Sequence, residues 1–201
     1  MSTITPTHET DVTPRTIRGT PVAGLANKLR AAGATEEWRG SNQGIYHIPN
    51  ERFIPLLREI VSSDNGRLAT VTGIDVRDGT ELLYHMCFDP PGFTATLKIL
   101  VPRETDAMES VTPWLPGAEF IEREIRDLLG VDFPGHPRME RLILADDWPE
   151  GVYPLRRGFK KEHAERARQA APTRTTPTPR TARKDGKRTL VSISPPFAPK
   201  G

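Results

Sequence analysis

Apolar residues near the start of the chain recur at helical spacing in two segments. Leu25 and Leu29 belong to a three-to-four-residue repeat that stops at Gly33, which predicts a first short helix. The stretch 51–62 places its apolar side chains on one face and predicts a second helix. We expect Pro55 in the first turn of that helix, where a missing N–H breaks no helical hydrogen bond.

After a turn at Asp64-Asn65-Gly66, the spacing changes to the alternation that is typical of strands. Short connections that are rich in turn residues, 77–79 and 89–92, join the strand-like runs and predict an antiparallel meander. A short run further upstream predicts one more strand. The predicted strands are Gly44–Ile48, Leu68–Asp75, Glu81–Phe88 and Phe93–Val101.

The most regular helical pattern covers Ala118–Leu129 and carries a single apolar stripe, and Gly130 follows it as a left-handed cap. Residues 131–159 show little periodicity and are rich in Pro, Gly, Arg and aromatic residues. We expect them to form an irregular segment that is ordered by what it packs against. Two acid-first ion pairs are predicted at i,i+4 spacing on the helix, Glu119–Arg123 and Glu122–Arg126.

Helices that precede a run of hairpins predict an α+β fold, in which an antiparallel or mixed β-sheet has helices packed on one face. The irregular Pro/Arg-rich segment follows this sheet, and a flexible basic tail ends the chain. The 201 residues correspond to about one domain of 100 to 200 residues with extensions. We expect residues 1–20 to be a disordered lead, residues 21–160 to form the domain, and residues 161–201 to be a mostly disordered Thr/Pro-rich tail.

The net charge of +2 hides an uneven distribution along the chain. Residues 160–201 contain eleven Lys or Arg against three acids, a net charge of +8, so residues 1–159 carry −6. Such a tail either docks on something acidic or is merely solvated. Its first residues, 161–169, are compatible with a charged helix, and its apolar end, 190–201, has the character of a docking peptide.

Cys87 is the one cysteine of the chain, which excludes an internal disulfide and any cysteine-rich zinc or iron–sulfur site. No apolar run approaches the roughly 18 residues that span a bilayer, and the first residues lack the apolar core of a signal peptide. We therefore expect a soluble, cytoplasmic protein of a reducing compartment.

Candidate reactive groups are few. His85 and Cys87 lie two apart on a predicted strand and share a face, and with His136 they are the available metal ligands. Cys87 with a histidine and Asp127 is a conceivable nucleophilic set, yet no local feature marks the cysteine as activated. We interpret these residues as packing or hydrogen-bonding groups and predict no catalytic, cofactor-binding or metal-binding residue.

The segment 119–157 is denser in charged residues than the rest of the chain and is the strongest candidate for a functional role. Carboxylates lie on its helix, and arginines follow in loops fixed by proline. Since arginine pairs bidentately with carboxylates, this set is expected either to fold on itself and order the irregular segment or to meet the charges of a partner. Acid–base catalysis is a weaker interpretation, because no substrate pocket is apparent. The residues are Glu122, Glu124, Asp127, Arg138, Arg141, Arg156 and Arg157.

The stretch 122–137, Glu-Arg-Glu-Ile-Arg-Asp-Leu-Leu-Gly-Val-Asp-Phe-Pro-Gly-His-Pro, resembles the signature of the 30 kDa subunit (the C subunit) of proton-pumping NADH:quinone oxidoreductase, respiratory complex I. The group 4 membrane-bound nickel–iron hydrogenases share this family. Later motifs at 141–144, 146–148 and 154–157 resemble the closing motifs of the family in the right order, and Ile74-Asp75 and Leu83-Tyr84-His85-Met86 resemble its strand ends. The signature residues are Glu122, Arg123, Glu124, Asp127, Gly130, Gly135, His136, Pro137, Arg141, Asp147, Trp148, Pro154, Leu155 and Arg156.

Three positions depart from the family pattern, which usually has an aromatic at Arg126, a phenylalanine at Leu129 and a basic residue at Glu140. These departures leave open whether the chain belongs to the respiratory or the hydrogenase branch. The amino-acid sequence of 148–154 resembles the hydrogenase-type members more closely than the respiratory ones.

The resemblance implies a non-catalytic scaffold subunit in the hydrophilic arm of a membrane-associated oxidoreductase. Iron–sulfur clusters, flavin or a nickel–iron site are then expected in partner subunits, namely a small iron–sulfur subunit and a large quinone-pocket or nickel–iron subunit. The signature residues would fix loop geometry or bridge to these neighbours, peripherally at the cytoplasmic side of the cell membrane. The alternatives are a binding module whose basic tail contacts nucleic acid, and a stand-alone hydrolase.

Overall fold

A computed structural model describes residues 20–39, 42–89 and 92–170 of the chain. These residues form four α-helices and five β-strands, with a short 3₁₀ turn at Pro116–Ala118. The helices are α1 (Thr20–Ala31), α2 (Asn50–Ser63), α3 (Glu119–Leu129) and α4 (Lys161–Ala170). The strands are β1 (Thr35–Trp38), β2 (Gln43–His47), β3 (Arg67–Val76), β4 (Gly79–Phe88) and β5 (Phe93–Pro102).

The five strands form one mixed sheet in the order β1-β2-β5-β4-β3. The antiparallel meander β3-β4-β5 confirms the hairpins that the turn residues predict. Strand β2 joins this meander in parallel with β5, with Tyr46 opposite Leu97. Strand β1 has no counterpart among the predicted strands, because its sequence of Thr, Glu, Glu and Trp is short and polar.

Helices α2 and α3 pack on the same face of the sheet. Phe53 of α2 places its ring 4.7 Å from the ring of Tyr84, which lies at the centre of that face. Ile125 and Leu129 of α3 pack against Gly73 of β3, where the missing side chain makes room for them. The core lies between the sheet and these helices, and Leu25 and Leu29 of α1 also belong to it.

The predicted helices are confirmed apart from small shifts in their ends. Helix α3 begins after the 3₁₀ turn and ends at Gly130, whose φ of 75° gives the left-handed cap that the sequence predicts. The placement of Pro55 in a first turn was wrong, because α2 begins at Asn50 and the proline lies inside it. Its ring is exposed, so the helix tolerates it on the solvent side.

Residues 1–19 and 171–201 lie outside the described residues, and with them the expected disordered lead and most of the basic tail. The charged helix expected at 161–169 is present as α4. Within the described part of the chain, no helix is long and apolar enough to cross a membrane.

Candidate functional site

Glu122 lies on helix α3, and its side chain is fully buried at the centre of a group of hydrogen bonds. One carboxylate oxygen accepts the N–H of Val111 at 2.8 Å, and the other accepts the hydroxyls of Ser110 and Thr112. The loop before the helix is thereby fixed to the helix itself. A buried carboxylate that holds three donors is a structural ligand for a loop, since each donor would be costly to leave unpaired.

His136 connects the loop after the helix to this centre. Its Nε2 donates to the carbonyl of Glu119 at 3.1 Å, and its Nδ1 accepts the backbone N–H of Arg138 at 3.0 Å. Because a carbonyl can only accept and a backbone N–H can only donate, these partners define the neutral tautomer with its proton on Nε2. Nε2 also lies 3.9 Å from a carboxylate oxygen of Glu122.

Tyr84 lies beneath the same centre with its side chain fully buried. Burial raises the pKa of its phenol well above the ordinary value, and the negative charge of Glu122 raises it further. Its hydroxyl has no hydrogen-bond partner among the described residues. The phenol therefore stays protonated, and it is a buried donor beside a buried carboxylate.

Asp127 holds the second part of the irregular segment. One of its carboxylate oxygens accepts the consecutive backbone N–H groups of Leu142, Ile143 and Leu144 at 2.8, 2.9 and 3.3 Å. Successive N–H groups that converge on one anion form a nest, and here the anion comes from the chain itself. The apolar run 142–144 is therefore a turn wrapped around Asp127, with Ile143 turned outward and 53% exposed.

We expect Asp127→Ala to loosen this turn by about 1 to 3 kcal/mol, because three N–H groups lose their common acceptor. Hydrogen exchange at the amides of 142–144 should become faster, while exchange in β4 should not change. Asp127→Asn keeps one side-chain oxygen and should show a smaller acceleration. Unchanged exchange at 142–144 in the alanine variant would contradict this assignment.

The arginines of the segment bond mainly to backbone carbonyls. Arg123 donates to the carbonyls of Glu140 and Arg141, and Arg141 donates to those of Ala145 and Trp148. These contacts tie the loop back to α3 and close it upon itself. Among the described residues, Glu122 and Asp127 form no fork with the arginines of the loops, since their carboxylates accept backbone and hydroxyl donors.

The prediction of two ion pairs on the helix surface, Glu119–Arg123 and Glu122–Arg126, was wrong. Glu122 faces the core rather than Arg126, which lies 3.5 Å from Asp132. Glu119 lies 3.5 Å from Arg138 of the following loop, while Arg123 reaches carbonyls. Spacing alone does not reveal that three charged residues of this helix, Glu122, Arg123 and Asp127, are buried.

The C-terminal end of α3 is covered by a stack of three residues, Gly130, Tyr153 and Arg156. The ring of Tyr153 lies directly over Gly130, and the guanidinium of Arg156 stacks over that ring at 4.7 Å. Arg156 also donates to the carbonyl of Leu129 at 2.7 Å and to Asp106 at 2.8 Å. The C-terminal motif of the signature thus closes the end of the helix.

Asp75 and Arg103 form an ion pair at the end of β3. Burial alone would raise the pKa of Asp75, but the N–H of Arg157 and the guanidinium of Arg103 hold it below its ordinary value. Arg103 also donates to the carbonyls of Val76 and Gly79. Sequence reasoning placed Asp75 at a strand end, but it gave no role to Arg103.

This lowered pKa predicts how the two carboxyl forms of Asp75 affect stability. The charged form stabilises the fold above the ordinary pKa of 3.8, and this contribution is lost as the pH falls below it. We expect the wild type to exceed Asp75→Asn in unfolding free energy at neutral pH, and the difference to shrink progressively below pH 3.8. Urea unfolding across this range measures it, and a difference that does not vary with pH would contradict the prediction.

The candidate metal and nucleophile residues do not come together. His85 lies on the face of the sheet away from the helices, with its two ring nitrogens 3.1 and 3.0 Å from the hydroxyls of Thr72 and Thr96. Burial lowers the pKa of His85. Cys87 shares that face, whereas His136 contacts α3. The described residues contain no group of three ligating side chains.

Sequence reasoning missed the partners that explain the signature, namely Ser110, Thr112, Asp106 and Tyr153. The available signal is the placement of two hydroxyl residues around Val111, directly before the helix. Of the signature residues, Trp148 donates to the carbonyl of Val152, and Gly135 has a positive φ of 88°. The side chains of Glu124, Pro137, Asp147 and Leu155 are exposed, and that of Pro154 is half-buried.

The family model described as "Respiratory-chain NADH dehydrogenase, 30 Kd subunit" matches residues 46–165. The C subunit of the NADH-quinone oxidoreductase of Moorella thermoacetica is 31% identical over 116 residues, which cover 56% of this chain and 77% of that protein. Membrane-bound hydrogenase subunit beta of Pyrococcus furiosus is 32% identical over 127 residues, which cover 61% and 72%. Among solved structures, the trypsin-resistant fragment of Nqo5 aligns with a TM-score of 0.54 at 25% identity, over 59% of this chain and 98% of the fragment.

Proposed function

The chain belongs to the family of the 30 kDa subunit of respiratory-chain NADH dehydrogenase, and from that premise we propose that it is a non-catalytic scaffold subunit. It would hold the electron-transferring subunits of a membrane-associated oxidoreductase in register. Relatives of this chain are subunits of an NADH-quinone oxidoreductase and of a membrane-bound hydrogenase.

One observation carries the scaffold proposal. Four charged side chains of the signature, those of Glu122, Arg123, Asp127 and Arg156, bind backbone groups of the chain around α3. Such contacts produce a fixed surface from a segment that has no regular secondary structure. A subunit that must hold its neighbours in place needs that rigidity, because displacements of about 1 Å already disturb reacting geometries.

The expected partners are a small subunit with iron–sulfur clusters and a large subunit with a quinone pocket or a nickel–iron site. The clusters, flavin or nickel–iron site would reside in those subunits, with this chain bound peripherally at the cytoplasmic side of the membrane. The family includes relatives of both branches, so the proposal covers either electron acceptor.

Deletion of the gene in the source organism tests the proposal. We expect the partner subunits to be made but not to co-purify, with loss of quinone or hydrogen turnover in the membranes. The wild-type gene should restore both assembly and turnover. Purification of a fully active complex without this chain would overturn the scaffold role, and turnover of a hydrolytic substrate by the isolated chain would favour the hydrolase alternative.

The nucleic-acid alternative depends on the basic tail, most of which lies outside the described residues. The relatives named above give it no support. It predicts binding that weakens steeply with salt, and deletion of 161–201 distinguishes it from the scaffold role. A shortened chain that still enters the complex would favour the scaffold.

A further inference from the structure

Strand β3 is the outermost strand of the described sheet, next to β4 on one side. An edge strand directs alternate backbone N–H and C=O groups away from the sheet, where they are free to pair with another extended chain. A register shift between Leu68 and Thr70 interrupts the beginning of β3. From Thr70 to Val76 the register with β4 is continuous, so this part of the edge is regular.

A groove of about 270 Å³ runs between this edge and helix α3. Its helix wall is apolar, with Ile121, Ile125 and Leu128 along α3, whereas Thr70 and Thr72 line the strand side. Leu155 closes the far side and is 57% exposed, although it is a large apolar side chain. Glu124 supplies the charge in the lining and is exposed.

Glu124 and Leu155 are signature residues that both line this groove and point outward. Within the described part of the chain, no hydrogen bond or ion pair involves the carboxylate of Glu124, in contrast to Glu122 and Asp127 on the same helix. The side chain of Leu155 is likewise turned outward, while its N–H bonds to the carbonyl of Leu128. The fold therefore accounts for the buried signature residues but not for these two.

We propose that this groove receives an extended segment of a partner subunit, which adds as a strand to the edge of β3. This inference rests on the proposed scaffold function. The segment would carry an apolar side chain that packs between Leu128 and Leu155, and a lysine or arginine that pairs with Glu124.

The chemistry of the groove selects this occupant. The outward backbone groups of an edge strand such as β3 pair with an extended main chain, which is the mode of strand addition. The apolar wall takes side chains that project from such a strand at every second residue. The negative charge of Glu124, within a body that carries −6 over residues 1–159, favours a cation in the partner over an anion.

Photo-crosslinking in the assembled complex tests this placement. The full chain, with p-benzoylphenylalanine at position 124 or 155, is co-expressed with its neighbouring subunits and purified. We expect both positions to crosslink to one short stretch of a single partner subunit. Amides of 71–74 should also exchange hydrogen more slowly in the complex than in the free chain.

Charge reversal gives a second readout. We expect Glu124→Arg to weaken retention of the partner about tenfold, since an ion pair at the rim becomes a like-charge contact. Glu104→Arg, at an exposed acid in the turn after β5, should retain the partner normally. Replacement of the basic residue in the crosslinked stretch by glutamate should restore binding to the Glu124→Arg chain.

The remaining outcomes overturn the proposal. Crosslinks that lead only to residues 171–201 of the same chain, to a second copy, to lipid, or to no product show another occupant or none. If the wild-type chain co-purifies with its neighbours but the chains with p-benzoylphenylalanine do not give the expected crosslink, this inference alone fails. If the wild-type chain does not co-purify at all, the scaffold function fails and this inference falls with it.

Discussion

We expect Glu122→Ala to lower the free energy of unfolding by about 3 kcal/mol, because it leaves three buried donors without an acceptor. The N–H of Val111 and the hydroxyls of Ser110 and Thr112 converge on this carboxylate, and its removal also leaves a cavity because the side chain is fully buried. The loop before α3 would then lose its attachment to the helix. Urea unfolding of the wild type and the variant measures the loss.

Glu124→Ala is the matched control, since it removes the same side chain two residues further along the same helix. Its carboxylate is exposed, so its unfolding free energy should stay within about 0.5 kcal/mol of the wild type. Glu122→Gln keeps the shape and one acceptor oxygen, and we expect it to cost less than the alanine variant. Equal stability of Glu122→Ala and Glu124→Ala would contradict the central role given to Glu122.

The second large effect is expected at Gly130, where Gly130→Ala should cost about 3 kcal/mol. A side chain at φ 75° is strained by about 1 to 2 kcal/mol, and the added carbon would also collide with the ring of Tyr153. That ring is held between Gly130 and the guanidinium of Arg156, so it has little freedom to move. Thermal or urea unfolding checks the magnitude.

Gly135→Ala separates the backbone cost from the collision. Gly135 has a φ of 88°, but an added carbon there has open space around it. We expect it to show only the backbone cost of about 1 to 2 kcal/mol. In a Tyr153→Ala background, Gly130→Ala should fall to the same value. A cost for Gly130→Ala that is unchanged in that background would show that the ring is not the cause.

Local patterns predict the elements of this fold more completely than their arrangement. Helix α3 and the hairpins of β3, β4 and β5 follow from periodicity and turn residues, which act over a few positions. Strand β1 is too short and polar for such a pattern. The parallel pairing of β2 with β5 depends on packing between residues that are far apart in the chain, and no local signal reports it.

The signature segment shows the same division. Its resemblance to a family singled out this segment, and the arginine-rich loops were expected to be ordered by what they pack against. Their actual partners are backbone carbonyls and N–H groups, which every sequence contains and which therefore leave no mark in it. Glu122 illustrates the limit most clearly, since its helix position suggests a surface ion pair while the loop at Ser110 buries it.

The parallel contact between β2 and β5 also sets an order of events during synthesis. His47 pairs with Lys98, so β2 leaves the ribosome about fifty residues before its partner strand exists. At about 5 to 20 residues per second, this delay is on the order of 3 to 10 s. During that interval the hairpin of β1 and β2 can form, but its inner edge has no strand to join. The sheet is first complete when Pro102 has emerged, and α3 with its loops emerges only after that.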